Sequence, residues 1–310
     1  MNYSEVLVIG VDAGGSKTTA WIAKVDDSSS EPLGVGEAGP GNPRAVGFKA
    51  AQQEIRLAIS RAFENAAFVR STVESLCLSA AGAGRSAEQA QLREWAESLQ
   101  LANRIVVTGD AEPILAAASP ESTGIALICG TGSLAWGRNA AGCIDRTGGW
   151  GPLFGDEGSA YLIALSGLRA AARAGDGRGP ETALLDAFQQ RLDAATPSAL
   201  IERVYGAALT RKQIAACVDV VFAAAKSDDV ASRIISVAAI DLADMVSALA
   251  VKLSLPPMEF SLALAGGVLM HQPEFRSSVV RSAGVDSQQI VLVPEPVVGA
   301  ISIARRLAAK

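Results

Sequence analysis

Val8-Ile9-Gly10-Val11-Asp12-Ala13-Gly14-Gly15-Ser16-Lys17-Thr18-Thr19 decides the fold of this 310-residue chain. An apolar run ends in an acid, two glycines, a hydroxyl and a base follow, and a second apolar run from Ala20 to Val25 leads away. Glycine and serine at such a turn leave backbone N–H groups free to approach an anion. A carboxylate just before the turn, Asp12, suits a metal ion better than the phosphate itself. The stretch therefore predicts a site for magnesium and the phosphate tail of a nucleotide. A P-loop needs Gly-Lys adjacent after four spacers. Gly10 and Gly15 have that spacing, but Ser16 precedes Lys17, and Thr18 to Ile22 reads as strand. A dinucleotide fingerprint allows one residue in its first gap, which here holds Val11, Asp12 and Ala13. A plain hairpin turn remains open. Two antiparallel strands gripping a nucleotide tail fit the pattern best.

The chain is long enough for two domains. Hydrophobic residues make up 49% and aromatics 5%, which suits a well-packed α/β enzyme. A net charge of −5 without a basic cluster predicts no nucleic-acid and no membrane partner. Met1 to Glu5 has no basic leader segment. No apolar run approaches the roughly 20 residues that cross a bilayer. Cys77, Cys129, Cys143 and Cys217 stand far apart, against zinc, iron–sulfur ligation within one chain or a disulfide framework. A reducing, cytoplasmic setting is expected.

Residues 5–25 read as a strand pair and Gly34 to Gly47 as a loop without regular structure. Phe48 to Phe68 repeats its apolar residues at helical spacing. Strands follow at 75–79 and 104–108, with helices at 87–99 and 111–118. After Pro120 the pattern restarts: strand 124–129, a turn at Gly130-Thr131-Gly132-Ser133, and strand 134–137. That weak repeat predicts two similar domains facing each other across a central cleft. Residues 159–253 read as helical, broken at Gly175 to Pro180. Strands at 260–264 and 290–293 and a final helix at 297–309 complete an alternation that implies sheets with helical cover.

Asp110 follows the strand 104–108 at its carboxyl end, where open α/β sheets bind ligands. A carboxylate there serves as general base for an attacking alcohol, or caps the helix from Ala111; both readings stand. Gly130 to Ser133 is a second candidate phosphate grip or a plain turn. Thr147 to Ser159 packs five glycines, Trp150 and the pair Asp156-Glu157 into thirteen residues, an entropic cost that points to binding. Trp150 suits a sugar ring and Asp156 two sugar hydroxyls, leaving one acid of the pair to cap the helix from Ser159. Gly266 and Gly267 permit an adenine or ribose to approach the backbone, or form a tight strand-to-helix turn. His271 is the single histidine, with no serine or cysteine nearby to make it a triad member.

Taken together, these segments resemble the N-acetylglucosamine kinase and BadF/BadG/BcrA/BcrD ATPase family of the actin-like, sugar-kinase superfamily. The matching stretches are Gly10 to Thr18, Thr108-Gly109-Asp110-Ala111-Glu112, Gly130 to Ser133, Gly148 to Gly151 with Gly155 to Ser159, and Ala265 to Val268. They lie in the family's order over nearly the whole chain. The resemblance implies two RNase H-like domains, residues 1–117 plus 292–310 and residues 118–291, with the last helix returning to the first. It implies ATP and Mg2+ as cofactors and phosphorylation of the 6-hydroxyl of an amino sugar of the N-acetylglucosamine or glucosamine class. Asp12 is then the magnesium ligand and Asp110 the catalytic base. Ser16 and Thr131 meet the phosphates, with Gly14, Gly15 and Lys17 beside them, and Gly266 and Gly267 line the adenosine pocket. Asn42, Ser133, Gly149, Trp150, Gly151 and Asp156 hold the amino sugar. A homodimer is expected.

One departure bears on the sugar: animal N-acetylglucosamine kinases have an asparagine after the Gly-Thr-Gly-Ser turn, and this chain has Leu134. Bacterial relatives with an aliphatic residue there include glucosamine and N-acetylmuramic acid kinases. Two other readings belong to the same superfamily. One is a BadF-type ATPase that activates a partner enzyme, whose cluster-holding cysteines are not matched here. The other is a non-catalytic sugar or nucleotide regulator, against which stand the intact Asp110 and the lack of a basic extension before residue 6.

Overall fold

Asp12 reaches its place because two apolar runs pair as a hairpin. The computed structural model describes residues 6–26, 31–256 and 260–310. It divides into two units, Met1–Thr123 with Val293–Lys310, and Gly124–Leu292. The segment Met1 to Glu5, expected to carry no leader, lies outside the described residues.

In the first unit Leu7–Ala13 (β1) and Thr18–Lys24 (β2) run antiparallel, with Asp12 opposite Thr19. Gly34–Ala38 (β3) pairs antiparallel with β2. Two helices follow, Pro43–Val46 (α1) and Phe48–Asn65 (α2). Val73–Ala80 (β4) and Ala102–Thr108 (β5) flank Ser86–Ser98 (α3), and Ala111–Ala118 (α4) comes next. The sheet order is β3-β2-β1-β4-β5, with β4 parallel to β1 and β5 parallel to β4. Ile55, Ile59 and Phe63 of α2 bury one face together with Ile9, Val11, Ile22, Leu76 and Leu78.

The stretch 34–47, expected to be irregular, contains β3 and α1 instead. Its glycines are there for packing. A Cβ on Gly36 would lie 2.0 Å from the Ala58 carbonyl oxygen and one on Gly34 2.3 Å from that of Ala62. Only a strand without side chains at these positions lets α2 lie against it.

The second unit opens with the meander Gly124–Cys129 (β6), Ser133–Arg138 (β7) and Ile144–Gly148 (β8). The third strand was not expected from the sequence, because it ends within the glycine-rich run. Helices follow at Ala160–Gly175 (α5), Leu184–Arg191 (α6), Ala199–Ile201 (α7), Arg211–Ala215 (α8), Val218–Ala224 (α9) and Asp229–Lys252 (α10), with a π-helical turn at Glu202–Gly206. Leu262–Ala265 (β9), Gly267–His271 (α11), Pro273–Ala283 (α12) and Ile290–Leu292 (β10) complete it. The order is β10-β9-β6-β7-β8, with β9 parallel to β6 and β10 parallel to β9. Each unit thus has an antiparallel three-strand meander whose first strand is extended by two successive parallel strands, which is the RNase H-like order.

One expectation about length is corrected. α10 is long and apolar enough, by length and composition, to cross a bilayer. Its Asp241 and Asp244 had hidden this from a search for an uninterrupted apolar run. Ala238, Leu242, Val246 and Leu249 of α10 bury into the core of this unit against Ile125, Leu127 and Leu264.

The last helix, Val297–Ala308 (α13), belongs to the first unit. Ala300, Ile301 and Ala304 bury against Val8, Ala23 and Cys77. Gly10 and Gly299 permit this approach: a Cβ on Gly10 would lie 2.7 Å from the Ile301 nitrogen, and one on Gly299 1.7 Å from the Pro113 oxygen. The Ser75 hydroxyl donates to the Ala304 carbonyl at 2.6 Å.

Candidate functional site

The first unit gathers acids at one sheet edge. Register sets Asp12 beside Ser79 on β4, and Ser79 beside Thr108 on β5, so β1 and β5 deliver Asp12 and Asp110 to the same carboxyl ends. The β1–β2 turn is closed by the Gly14 N–H on the Lys17 carbonyl at 2.9 Å. Gly15, Ser16 and Lys17 stand exposed on it. The Lys17 ammonium lies 3.3 Å from Glu37 and 3.8 Å from Glu295.

Asp12 is partly buried, and its pKa is pushed up to about 7. Burial is the main cause, followed by the like charges of Asp110 and Glu295, while Lys17 pulls the other way. Burial also raises Asp110, opposed by the N–H groups of Asp110 and Ala111. Asp110 occupies the N-cap position of α4, yet its side chain makes no capping hydrogen bond. Of the two sequence readings for this carboxylate, the capping one lacks the bond it needs. Glu295, which follows β10 and precedes α13, was missed by sequence reading because nothing local marks it.

Carboxylates that resist ionisation because they are buried, with like charge close to Asp12, fit a cation, whose charge offsets the penalty. Among the described residues no group of three His, Cys, Asp or Glu forms a self-sufficient cage. Mg2+ does not ask for one: it keeps waters and takes one or two carboxylates plus substrate phosphates. Asn42 has a different local task. Its Oδ1 accepts from the N–H groups of Arg44 at 2.9 Å and Ala45 at 3.3 Å, capping α1.

In the second unit, register sets Ile128 beside Ala265, so the Gly130–Gly132 turn and the Gly266–Gly267 turn share one sheet edge. Thr131 is exposed at its turn, which the Gly130 N–H closes on the Gly132 carbonyl at 2.9 Å. Gly266 has φ 95°, and a Cβ there would lie 2.4 Å from the Cys129 oxygen. Only glycine lets the two turns lie so close. Gly267 opens α11, and His271 ends it, exposed.

Ser133 and Asp156 are turned inward. The Ser133 hydroxyl donates to the Glu157 carbonyl at 2.6 Å, and Ser133 is 3% exposed. Asp156, 4% exposed and at φ 64°, accepts from the Ser133 N–H at 3.3 Å and from Arg211 at 2.5 Å. Arg211 also donates to the Thr131 carbonyl at 3.3 Å and lies 5.7 Å from the Tyr161 ring centre. Neither Asp156 nor Glu157 caps the helix that follows. That cap is Ser159, whose hydroxyl accepts from the Leu162 N–H at 3.3 Å. The expectation that one acid of the pair caps is thereby corrected: Ser159, in extended conformation, holds the N-cap position itself. Arg211 was also missed, since it lies fifty-five residues from Asp156 in sequence.

Gly148, Gly149 and Gly151 all have positive φ, at 71°, 68° and 86°, so the loop holds a shape that side chains resist. Trp150 is 61% exposed upon it. The Arg146 guanidinium lies over the Trp150 ring, 5.2 Å from its centre, and donates to the carbonyls of Gly148 at 2.8 Å and Gly149 at 3.3 Å.

Paired RNase H-like units with glycine turns at the ends of their first strands define an actin-like ATPase. Residues 9–304 match the BadF/BadG/BcrA/BcrD ATPase family, and this chain belongs to it. ATP use goes with that membership. The chain is 34% identical over 263 residues to the N-acetylmuramic acid/N-acetylglucosamine kinase of Clostridium acetobutylicum, covering 84% of this chain and 85% of the relative. It is 32% identical to the N-acetyl-D-glucosamine kinase of Dictyostelium discoideum, over 85% of this chain and 86% of that one. The crystal structure of a Chromobacterium violaceum protein, provisionally assigned as an N-acetylglucosamine kinase, has the same fold at 22% identity. Its TM-score is 0.78, with 98% of this chain and 99% of that chain covered.

Proposed function

We propose that this chain is an ATP-dependent kinase that phosphorylates the 6-hydroxyl of an amino sugar of the N-acetylglucosamine or glucosamine class. The carrying observation is Asp110: a carboxylate at the end of a parallel strand, without a capping bond, in the company of Asp12. The full-length similarity to two curated amino-sugar kinases supports the acceptor class.

In this reading Asp110 takes the proton of the 6-hydroxyl as its oxygen bonds to the γ-phosphorus, and the bond from that phosphorus to the β-phosphate bridge breaks to release ADP. Raised by burial, Asp110 is a stronger base than an exposed carboxylate. Gly14, Gly15, Ser16, Lys17 and Thr131 are the contacts proposed for the phosphates. Gly266 and Gly267 admit the adenosine. Asp12 holds Mg2+, which when bound neutralises charge on the phosphates. Gly149, Trp150 and Gly151 present backbone and an aromatic face to the sugar. Asn42, Ser133 and Asp156 belong to the sugar side as well. The bonds of Ser133 and Asp156 within their own unit make them holders of that loop's shape as much as direct contacts.

We place the enzyme in the cytoplasm as a homodimer, with a small-molecule substrate and neither nucleic acid nor membrane as partner. The domain division is proposed at residues 117/118 and 291/292. The test is ADP release, read by a coupled assay, over a panel of glucosamine, N-acetylglucosamine and N-acetylmuramic acid. Sugar-dependent ADP release with a phosphate found on O6 supports the reading; no release with any of the three overturns it.

A further inference from the structure

Arg146, at the edge of the glycine-rich loop, forms no ion pair among the described residues. Only its Nη1 is engaged there, by the carbonyls of Gly148 and Gly149. Its neighbour Asp145 pairs with Lys252 at 3.4 Å instead. The guanidinium is held in place by those two carbonyls and by the Trp150 ring, so little side-chain entropy is left for a ligand to freeze. Its Nε and Nη2 donors carry no hydrogen bond among the described residues. Leu134 approaches the same face of Gly149: a Cβ on Gly149 would be 2.9 Å from both Arg146 Nη1 and Leu134 Cδ1. A fixed guanidinium and an aliphatic side chain therefore stand together on one face of Gly149.

We propose that Arg146, with Leu134, selects an amino sugar bearing a carboxylate on a short branched ether, of which N-acetylmuramic acid is the simplest. The inference rests on the kinase reading above and names the acceptor more closely. The chemistry matches part by part. A guanidinium offers parallel N–H donors that suit a carboxylate. The methyl group of a lactyl ether finds apolar surface on Leu134, where a polar side chain would leave it facing a donor. A neutral sugar lacks the carboxylate that this charged, two-pronged pairing requires. Arg146 is a specificity residue, remote from the transferred phosphate.

The experiment measures kcat and KM for N-acetylmuramic acid and N-acetylglucosamine in the full chain and in Arg146→Met and Arg146→Lys. Charged hydrogen bonds of this kind change binding by roughly ten- to a hundred-fold. Arg146→Met is expected to lower the preference for N-acetylmuramic acid over N-acetylglucosamine by about that factor, through KM. Arg146→Lys, which keeps the charge but not the fork, falls between. Added salt should raise KM for the acidic sugar and leave the neutral one alone. Equal losses for both sugars would make Arg146 a mere brace of the loop and overturn the inference. So would turnover of N-acetylglucosamine with none of N-acetylmuramic acid, an outcome that leaves the kinase reading standing. Turnover of neither removes the kinase reading, and the inference with it.

Discussion

Three carboxylates carry the argument at the scale of the residue, and their environments separate them. Asp110 has the position of a cap without the bond of one. Asp110→Asn is expected to retain ATP binding in calorimetry while turnover falls by about 10²–10⁴-fold, the usual share of a general base; activity within ten-fold of the parent would remove Asp110 from that role. Asp12 titrates near 3.9 in an unfolded chain and at about 7 in the folded one. Between those values the folded chain holds the extra proton, so stability without metal falls as pH rises from about 4 to about 7. Asp12→Asn should flatten that slope, leaving the part that Asp110 contributes, and raise metal-free stability at pH 8 by roughly 1–4 kcal/mol. Urea titrations at pH 5 and pH 8 in a chelator check it, and an unchanged slope refutes it. Asp156 is a buried carboxylate whose partner is the Arg211 guanidinium at 2.5 Å. Arg211→Met leaves it unpaired and should cost roughly 1–3 kcal/mol in chemical denaturation, less than a fully buried pair because water reaches the arginine. Asp12, Asp110 and Asp156 were legible because each follows an apolar strand or a glycine run. Glu295 and Arg211 were not, because their partners arrive from far along the chain.

At the scale of the element, glycines do two separable jobs. Gly299 on α13 is pressed against the Pro113 carbonyl, where a Cβ would stand 1.7 Å away. Gly15 on the β1–β2 turn has open space where a Cβ would stand, with nothing within 4 Å, and no positive φ. Gly299→Ala should therefore cost at least 1–3 kcal/mol of stability, roughly the usual range for overpacking. Gly15→Ala should change stability by less than about 0.5 kcal/mol, as expected of an exposed site, while weakening ATP binding through the lost close approach. Denaturation midpoints paired with nucleotide titrations separate the two. A Gly15→Ala protein with unaltered ATP affinity would remove that turn from the phosphate site. The element boundaries in the sequence were clearest where period and breakers agree, as in α2 and β4. They failed at β3 and β8, where glycine stands inside a strand because a helix or a neighbouring side chain occupies the space a Cβ would need.

The whole molecule is two repeats of one strand order, each with a glycine turn at the end of its first strand. The family also contains ATPases that serve a partner enzyme, and cysteine placement bears on that comparison. Cys77, Cys129 and Cys217 are buried and Cys143 alone is exposed among the four. Purified protein should accordingly be colourless and free of stoichiometric iron by elemental analysis, and ATP consumption should depend on added sugar. Iron at one cluster per dimer with sugar-independent hydrolysis would favour the activator reading. The proposed homodimer predicts a light-scattering mass near twice the 31.8 kDa chain.

Sequence by itself determined the fold class, and offered the candidate phosphate turn from Asp12 to Lys17, its counterpart turn at Thr131 and the candidate base. These are local: alternation, breakers and strand-terminal acids act over a few residues and leave their mark in order along the chain. Only the tertiary structure decided which acids crowd Asp12, that Asp110 is not a bonded cap, that Ser159 is one, and that Arg211 holds Asp156. Burial and charge depend on what folds nearby, and nothing in the spacing of residues 12, 110 and 295 or 156 and 211 records that distance. For that reason the opening stretch could suggest a phosphate site, but not the burial that raises the pKa of its own aspartate.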